Sequence, residues 1–161
     1  MDDRARKLID TYQLIAHPEG GYFREVYRSE EKIKIDDTGN ERCWLTDIYF
    51  LLTKNDISRF HRIKHDEIWH FYEGAPLLLI EIHPNTLDIK ETTISSSGPS
   101  PVYKHCIKGD TWQAAHSKGN YSFVGCTVGP GFEFSDFEML DDNKEIKASI
   151  LSKHPNLEKF A

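Results

Sequence analysis

Short runs of aromatic and β-branched residues, each closed by a turn signal, constrain the fold of this chain more than any other feature. About eight such runs follow one another, separated by glycine, proline or asparagine. Strands this short and this regularly punctuated are typical of an antiparallel sandwich or barrel. An apolar i, i+3, i+4 pattern predicts a helix over residues 3–13, and a second helix is predicted over about 143–153 with Asp142 as its N-cap. The sequence therefore predicts an all-β fold with a short helix at each end.

Outside the central stretch, the predicted strands are Tyr22–Arg28, Cys43–Leu52, Leu77–Ile82, Leu87–Ile94, Val102–Ile107 and Tyr121–Val128. The charged segment before Cys43 contains Asp37-Thr38-Gly39-Asn40, which predicts a turn between two strand ends. Residues 95–101, rich in serine and proline, are expected to form a hairpin connection, with a lid over a pocket as the alternative. Residues 132–140 fit neither period.

Length and charge narrow the class of protein. At 161 residues, the chain is expected to form a single domain over residues 1–161. Its net charge of −6 gives no basic surface for nucleic acid. No apolar run approaches the roughly 20 residues needed to span a membrane. Three cysteines without a Cys-x-x-Cys pair indicate free thiols in a reducing compartment, so we expect a cytoplasmic protein.

The stretch over residues 58–74 concentrates histidine and glutamate among large apolar residues. Alternate side chains of a strand share a face. One face would then carry His61, His65, Glu67, Trp69 and Phe71. His70 and Tyr72 would lie on the other face. Imidazole and carboxylate groups among aromatic rings suit a pocket that binds a metal or moves a proton, and a surface strand with solvated side chains is the alternative.

The same stretch resembles the first motif of the cupins. Glu67, six intervening residues and Gly74 follow the spacing of that motif, and His61 stands at its first histidine. Ile63 occupies the position of the second histidine, where this chain departs from the family.

Further segments are similar to one group of small single-domain cupins of unknown function, and the resemblance covers roughly residues 5–140. The segments are residues 17–25, 46–52, 60–63, 66–71, 111–115, 124–128 and 130–132. This resemblance implies a jelly-roll barrel, which is a double-stranded β-helix, and a homodimer. It also implies a small-molecule ligand inside the barrel.

A divalent transition metal is the cofactor that the resemblance would allow. Metal-binding cupins usually supply three histidines and a glutamate, of which His61 and Glu67 are in place. His65 could replace the missing histidine, and Gln113 could supply an oxygen ligand near the position of the third, where His116 is its rival. Imidazole and carboxylate ligands suit first-row divalent metals.

A metal-free alternative comes from Pro18–Glu25, which is similar to the N-terminal strand of the deoxysugar keto-epimerases. In those enzymes a histidine base and a tyrosine acid act at a carbon next to a carbonyl. Candidate bases are His61 and His70, and candidate acids are Tyr22, Tyr49 and Tyr72. Arg24 would anchor an anionic group. A glycine turn leading into an edge strand is the structural alternative.

Three aromatic residues, Trp69, Trp112 and Tyr49, are either core residues or a ligand platform. Trp69, Trp112 and Gln113 are candidate substrate-binding residues at the barrel mouth. We expect a small-molecule-binding cupin with isomerase- or epimerase-like activity on a carbohydrate-like or keto-acid substrate. A metal-dependent oxygenase or isomerase and a non-catalytic binder are the alternatives.

Overall fold

Antiparallel strands dominate this computed structural model, which describes residues 1–35 and 40–161. Residues 37–39 of the predicted turn therefore lie outside the described residues. The helices are α1 (Asp3–Tyr12) and α2 (Lys144–Lys153). The strands are β1 (Ile15–Ala16), β2 (Tyr22–Arg28), β3 (Lys32–Lys34), β4 (Glu41–Cys43), β5 (Thr46–Thr53), β6 (Ile57–Ile63), β7 (Asp66–Gly74), β8 (Leu77–Ile82), β9 (Ile89–Ile94), β10 (Lys104–Ile107), β11 (Trp112–Ser117), β12 (Tyr121–Gly129) and β13 (Phe137–Met139). Short 3₁₀ turns cover Phe134–Asp136, Leu140–Asp142 and Pro155–Phe160.

Two large sheets form the body of the fold. The first has the strand order β1-β2-β5-β12-β7-β10, and the second has the order β13-β6-β11-β8-β9. Strands distant in sequence become neighbours, since β12 pairs with both β5 and β7. This crossed antiparallel arrangement confirms the predicted all-β jelly-roll with short terminal helices. Within the described residues, no helix has the length and apolar character needed to cross a membrane.

The core lies between the sheets, and each helix covers an outer face. Buried side chains from both sheets, including Phe50, Trp69 and Leu79, form the central cluster. Helix α1 packs Ala5 and Leu8 against the outer face of the first sheet. The C-terminal segment packs on the outer face of the second sheet, where Ile150, Leu157 and Phe160 meet Phe60. Both sheets are therefore buried on their inner faces and partly covered outside.

Helix α2 begins one residue later than predicted. Asn143, and not Asp142, is its N-cap, because the Asn143 side chain accepts a hydrogen bond from the Ile146 N–H at 3.1 Å. Asp142 belongs instead to the preceding 3₁₀ turn. The three cysteines are free, as the sequence predicts.

Two sequence predictions about strands were wrong, and one strand was not predicted. The stretch over 58–74 is two strands, because a corner at residues 64–65 carries the chain from β6 in the second sheet to β7 in the first. Residues 95–101 form no hairpin, since β9 and β10 belong to different sheets. Strand β11 was missed, because its sequence, Trp-Gln-Ala-Ala-His-Ser, contains small and polar residues with low strand propensity.

Candidate functional site

A cavity opens between the two sheets and is lined mainly by β2, β5, β6, β7 and β12 and by residues 132–137. Its volume, counted out to bulk solvent at the mouth, is about 690 Å³. The lining is mostly aromatic and apolar, with one set of ionisable groups in the interior and another at the mouth. His17, Glu19, His61 and Glu67 lie inside, and Arg28 lies at the mouth with its carboxylate partners. An apolar cavity with a few convergent polar groups is the usual form of a small-molecule site.

Strand pairing brings the inner groups together. His61 on β6 lies directly opposite Gln113 on β11, and Glu67 at the start of β7 lies opposite Val128 on β12. The inner side chains are almost fully enclosed: His61 is 2% exposed, Glu19 6% and Glu67 7%. Each ionisable group here has lost most of its water, so its protonation depends on its neighbours.

His61 and Glu19 lie close enough to exchange a proton. The His61 Nδ1 lies 2.8 Å from the carbonyl oxygen of Arg59, which can only accept, so Nδ1 carries a hydrogen. The other ring nitrogen, Nε2, lies 3.2 Å from Oε2 of Glu19. Burial lowers the pKa of His61 and raises the pKa of Glu19. Both shifts favour the neutral pair, in which the Glu19 carboxyl donates to the bare Nε2.

The loop before β2 holds Glu19 in place. Ser58 Oγ donates to Glu19 Oε1 at 2.7 Å, and His17 Nδ1 lies 3.4 Å from Oε2. Burial lowers the pKa of His17, so its ring adds little positive charge to the site. Gly20 follows with φ of 117°, and a Cβ there would lie 2.1 Å from the Ile57 carbonyl oxygen. Only glycine permits so close an approach of the loop to β6.

Sequence reasoning missed His17 and Glu19, although residues 17–25 carry part of the resemblance to the cupin group. The signal was present in His17-Pro18-Glu19-Gly20-Gly21, where an acid directly precedes two glycines. The site residues predicted from this segment were Tyr22 and Arg24, within the predicted strand.

A second chain of hydrogen bonds fixes Glu67. The Gln113 amide nitrogen donates to Glu67 Oε2 at 2.6 Å, and Trp69 Nε1 donates to Gln113 Oε1 at 3.1 Å. Burial raises the pKa of Glu67 to about 7, although the charge interaction with His61 lowers it. Burial also raises the pKa of the neighbouring Cys126 thiol, which stays protonated. Glu67 is therefore poised to gain or lose a proton near neutral pH.

The four residues predicted as metal ligands do not form one site, because His65 lies apart from His61, Glu67 and Gln113. His65 lies in the corner between β6 and β7, with Nε2 3.8 Å from Asp136 Oδ2, because the corner breaks the strand alternation that would have aligned it with His61. The Gln113 oxygen accepts a hydrogen bond from Trp69, and the nitrogen of the same amide, which cannot bind a metal, faces Glu67. Among residues 1–35 and 40–161, no group of three or more histidine, cysteine, aspartate or glutamate side chains is arranged to hold a metal ion. The rival ligand His116 packs against Phe160 in the C-terminal segment.

Three predicted residues, Arg24, Tyr49 and His70, lie on the opposite face of the first sheet from the cavity. They form one row across it, because Arg24 pairs with Tyr49, Tyr49 with Gly125, and Gly125 with His70. Their sequence neighbours face inward and take the cavity positions, Phe23 before Arg24, Ile48 and Phe50 around Tyr49, and Trp69 before His70.

These outward side chains make their own contacts. Arg24 donates to Gln13 Oε1 at 3.4 Å, and His70 Nε2 lies 2.9 Å from Thr127 Oγ1. Tyr49 packs against Tyr12 of α1. The predicted substrate-binding residue Trp112 also faces away from the cavity, where the Arg62 guanidinium lies 4.7 Å from its ring centroid. The structure brings His61, Glu67, Trp69 and Gln113 together and separates the other predicted site residues from them.

Comparison with known proteins gives relatives that cover most of the chain. The uncharacterized protein YML079W of Saccharomyces cerevisiae is 28% identical over 158 residues, which covers 88% of this chain and 78% of that protein. Among solved structures, protein SO0799 of Shewanella oneidensis aligns with a TM-score of 0.85 at 28% identity, covering 99% of this chain and 97% of that one. A hypothetical protein from Leishmania major aligns with a TM-score of 0.78 at 29% identity, covering 92% and 97%.

A sequence model of one family matches residues 6–140, which is most of the chain. That span contains both hydrogen-bonded carboxyl groups of the cavity and every inner residue described above. The chain belongs to the Cupin superfamily (DUF985).

Proposed function

We propose that this protein binds a small carbonyl compound in the cavity and moves a proton at the carbon next to the carbonyl, as an isomerase or epimerase does. The substrate would be carbohydrate-like or a keto acid. One observation carries the proposal: Glu19 and His61, 3.2 Å apart, line the same cavity as Glu67, whose pKa is raised to about 7. Two groups with complementary protonation in a dry site are what such a reaction requires.

Each group has a distinct role in this chemistry. The Glu67 carboxylate takes the proton from the carbon, and the electron pair of the broken C–H bond moves onto the carbonyl oxygen. The Glu19 proton that faces His61 is delivered to that oxygen, which yields a neutral enol. In an epimerisation, the enol O–H proton returns to Glu19 while a solvent proton is added to the opposite face of the same carbon. In an isomerisation, the hydroxyl group on that carbon gives its proton to Glu19, and Glu67 returns its proton to the former carbonyl carbon. Gln113 positions Glu67 by donating a hydrogen bond to Oε2.

The test is incorporation of solvent deuterium into carbonyl compounds. Aldoses, ketoses and 2-keto acids are incubated with the protein in D₂O, and loss of the α-proton signal is followed by proton NMR. We expect exchange with the parent protein and a loss of about 100-fold in Glu67→Gln, the lower end for removal of a catalytic acid or base. His65→Ala is the matched control, because His65 lies outside the cavity and should leave the rate unchanged.

Two outcomes contradict the proposal. Exchange at the parental rate in Glu67→Gln would remove Glu67 from the chemistry. Absence of exchange with every compound would leave ligand binding without catalysis, and saturation-transfer NMR on the same samples would then detect bound ligand.

A further inference from the structure

One guanidinium lies at the cavity mouth with every donor already engaged. Arg28 Nε and Nη2 donate to the two carboxylate oxygens of Glu25 at 3.0 and 2.9 Å. Its Nη1 donates to Glu133 Oε1 at 2.8 Å, and its Nη2 donates to the Phe132 carbonyl oxygen at 3.1 Å. The Cys43 sulfur lies 3.6 Å from Nη1. A guanidinium has five N–H groups, so none remains for a ligand.

The charges of the residues that line the cavity also disfavour an anionic ligand. Of the described residues that line it, Arg28 is the only lysine or arginine, whereas four are glutamates. Two of these, Glu25 and Glu133, pair with Arg28 and leave the mouth one negative charge in excess. Inside, Glu19 and His61 together are neutral, and Glu67 adds negative charge when it ionises. An anionic ligand would therefore meet like charge both at the mouth and at the reacting groups.

The rest of the lining suits a neutral ligand that is both apolar and hydroxylated. Aromatic rings of Phe23, Phe50, Trp69, Phe132 and Phe137 contribute to the wall. Ring faces carry partial negative charge and pack well against C–H groups. Carboxylate oxygens accept hydrogen bonds from hydroxyl groups. A sugar-like molecule offers C–H faces and hydroxyl groups together.

We infer that Glu25 and Glu133 determine specificity, by occupying Arg28 and so excluding anions, and that the substrate is an uncharged polyhydroxy carbonyl compound. The inference rests on the proposed function and narrows its substrate class, since it excludes keto acids and sugar acids. Substitution of both glutamates by glutamine would release the charge of Arg28 for an incoming carboxylate.

The experiment compares two probes of the same carbon skeleton, D-glucose and D-glucuronate, by isothermal titration of the full chain. Three proteins are compared: the parent, the double variant Glu25→Gln/Glu133→Gln, and the charge-matched control Glu145→Gln/Glu158→Gln, whose residues are exposed outside the cavity. We expect the parent to prefer glucose. The double variant should shift the ratio of the two dissociation constants toward glucuronate by about tenfold or more, as for a new hydrogen bond to a charged group. The control should keep the parental ratio.

The inference is overturned if the parent binds glucuronate more tightly than glucose. An unchanged ratio of the two dissociation constants in the double variant overturns it as well. So does the absence of measurable binding of either probe. The single variant Glu133→Gln serves if the double variant unfolds, because Glu133 is half-exposed in a loop outside the sheets. Since the readout is binding, it is independent of the deuterium exchange that tests the proposed function.

Discussion

The Nε2 atom of His61 lies 3.2 Å from Oε2 of Glu19, although one residue lies on a strand of the second sheet and the other in the loop before the first. Each is buried, and each is neutral in the form that burial favours. The loop over residues 17–21 thus brings a carboxyl group to His61, which stands at the first histidine of the cupin motif. The pair is the reason why an acid–base site is proposed here.

The hydrogen positions of His61 are the first prediction. Because the Arg59 carbonyl accepts from Nδ1, we expect Nδ1 to carry the hydrogen and Nε2 to be bare. Because burial lowers the pKa of His61, the ring should gain its second proton at a lower pH than an exposed histidine does. Nitrogen-15 NMR of histidine-labelled protein reads both states, and His61→Asn assigns the signals. A protonated Nε2 with a bare Nδ1 at pH 6 would contradict the described pairing.

The stability of Glu67→Gln should depend on pH. The pKa of Glu67 is about 7 when folded and about 4.5 when unfolded, so the folded state holds the extra proton between these values. The parent therefore loses stability as the pH rises from about 4.5 to about 7, by roughly 3 kcal/mol, and glutamine does not. We expect the variant to match the parent at pH 4 and to be the more stable protein at pH 8, measured by urea unfolding.

The control for this experiment is Glu73→Gln. The hydrogen bond from Arg4 lowers the pKa of Glu73, so its contribution has the opposite sign: it is present at neutral pH and is lost as the pH falls. A Glu67→Gln effect of equal size at pH 4 and pH 8 would show that the carboxyl does not titrate in this range.

Much of the fold can be predicted from the sequence, because turn residues and period-two alternation are local properties. Strands β2, β8 and β12 begin where the pattern places them. The corner at residues 64–65 could not be predicted, because Lys64-His65 contains no glycine or proline to mark a turn. The prediction that His65 shares a face with His61 was wrong because of this corner.

Only part of the site could be predicted from the sequence, because the sequence does not show which face of each strand points into the cavity. His61 and Glu67 stood out through their spacing, but Arg24, Tyr49 and His70 were assigned without knowledge of which face their strands bury. A shift of one residue in strand parity moves every side chain to the other face. Glu19 was missed because it lies in the loop before β2, whereas His61 lies on a strand of the other sheet. Their proximity is a tertiary contact that no local pattern indicates.

Gly20 carries the third prediction, since its backbone sets the position of Glu19. Gly20→Ala should destabilise the protein strongly, because φ is 117° and the new Cβ would lie 2.1 Å from the Ile57 carbonyl oxygen. Gly98→Ala is the matched control: φ is 101°, but no atom lies within 4 Å of its Cβ, so only the backbone cost of about 1–3 kcal/mol remains. Urea unfolding measures both. Equal losses would show that the contact with Ile57 does not constrain the loop.

Gln113→Leu tests whether the chain from Trp69 to Glu67 sets the acidity of the site. The substitution removes the hydrogen bond that lowers the pKa of Glu67, so this pKa should rise above its value of about 7. It also leaves Trp69 Nε1 and Glu67 Oε2 without the Gln113 partner, at about 1–3 kcal/mol for each buried group. Carbon-13 NMR of the glutamate carboxyl groups follows the pKa, and urea unfolding follows the stability. A loss of stability without a shift in the pKa would mean that Gln113 packs the core and leaves the proton on Glu67 unaffected. A shift in the pKa together with a loss of stability would mean that Gln113 sets the acidity of Glu67, the carboxyl group that we propose as the base.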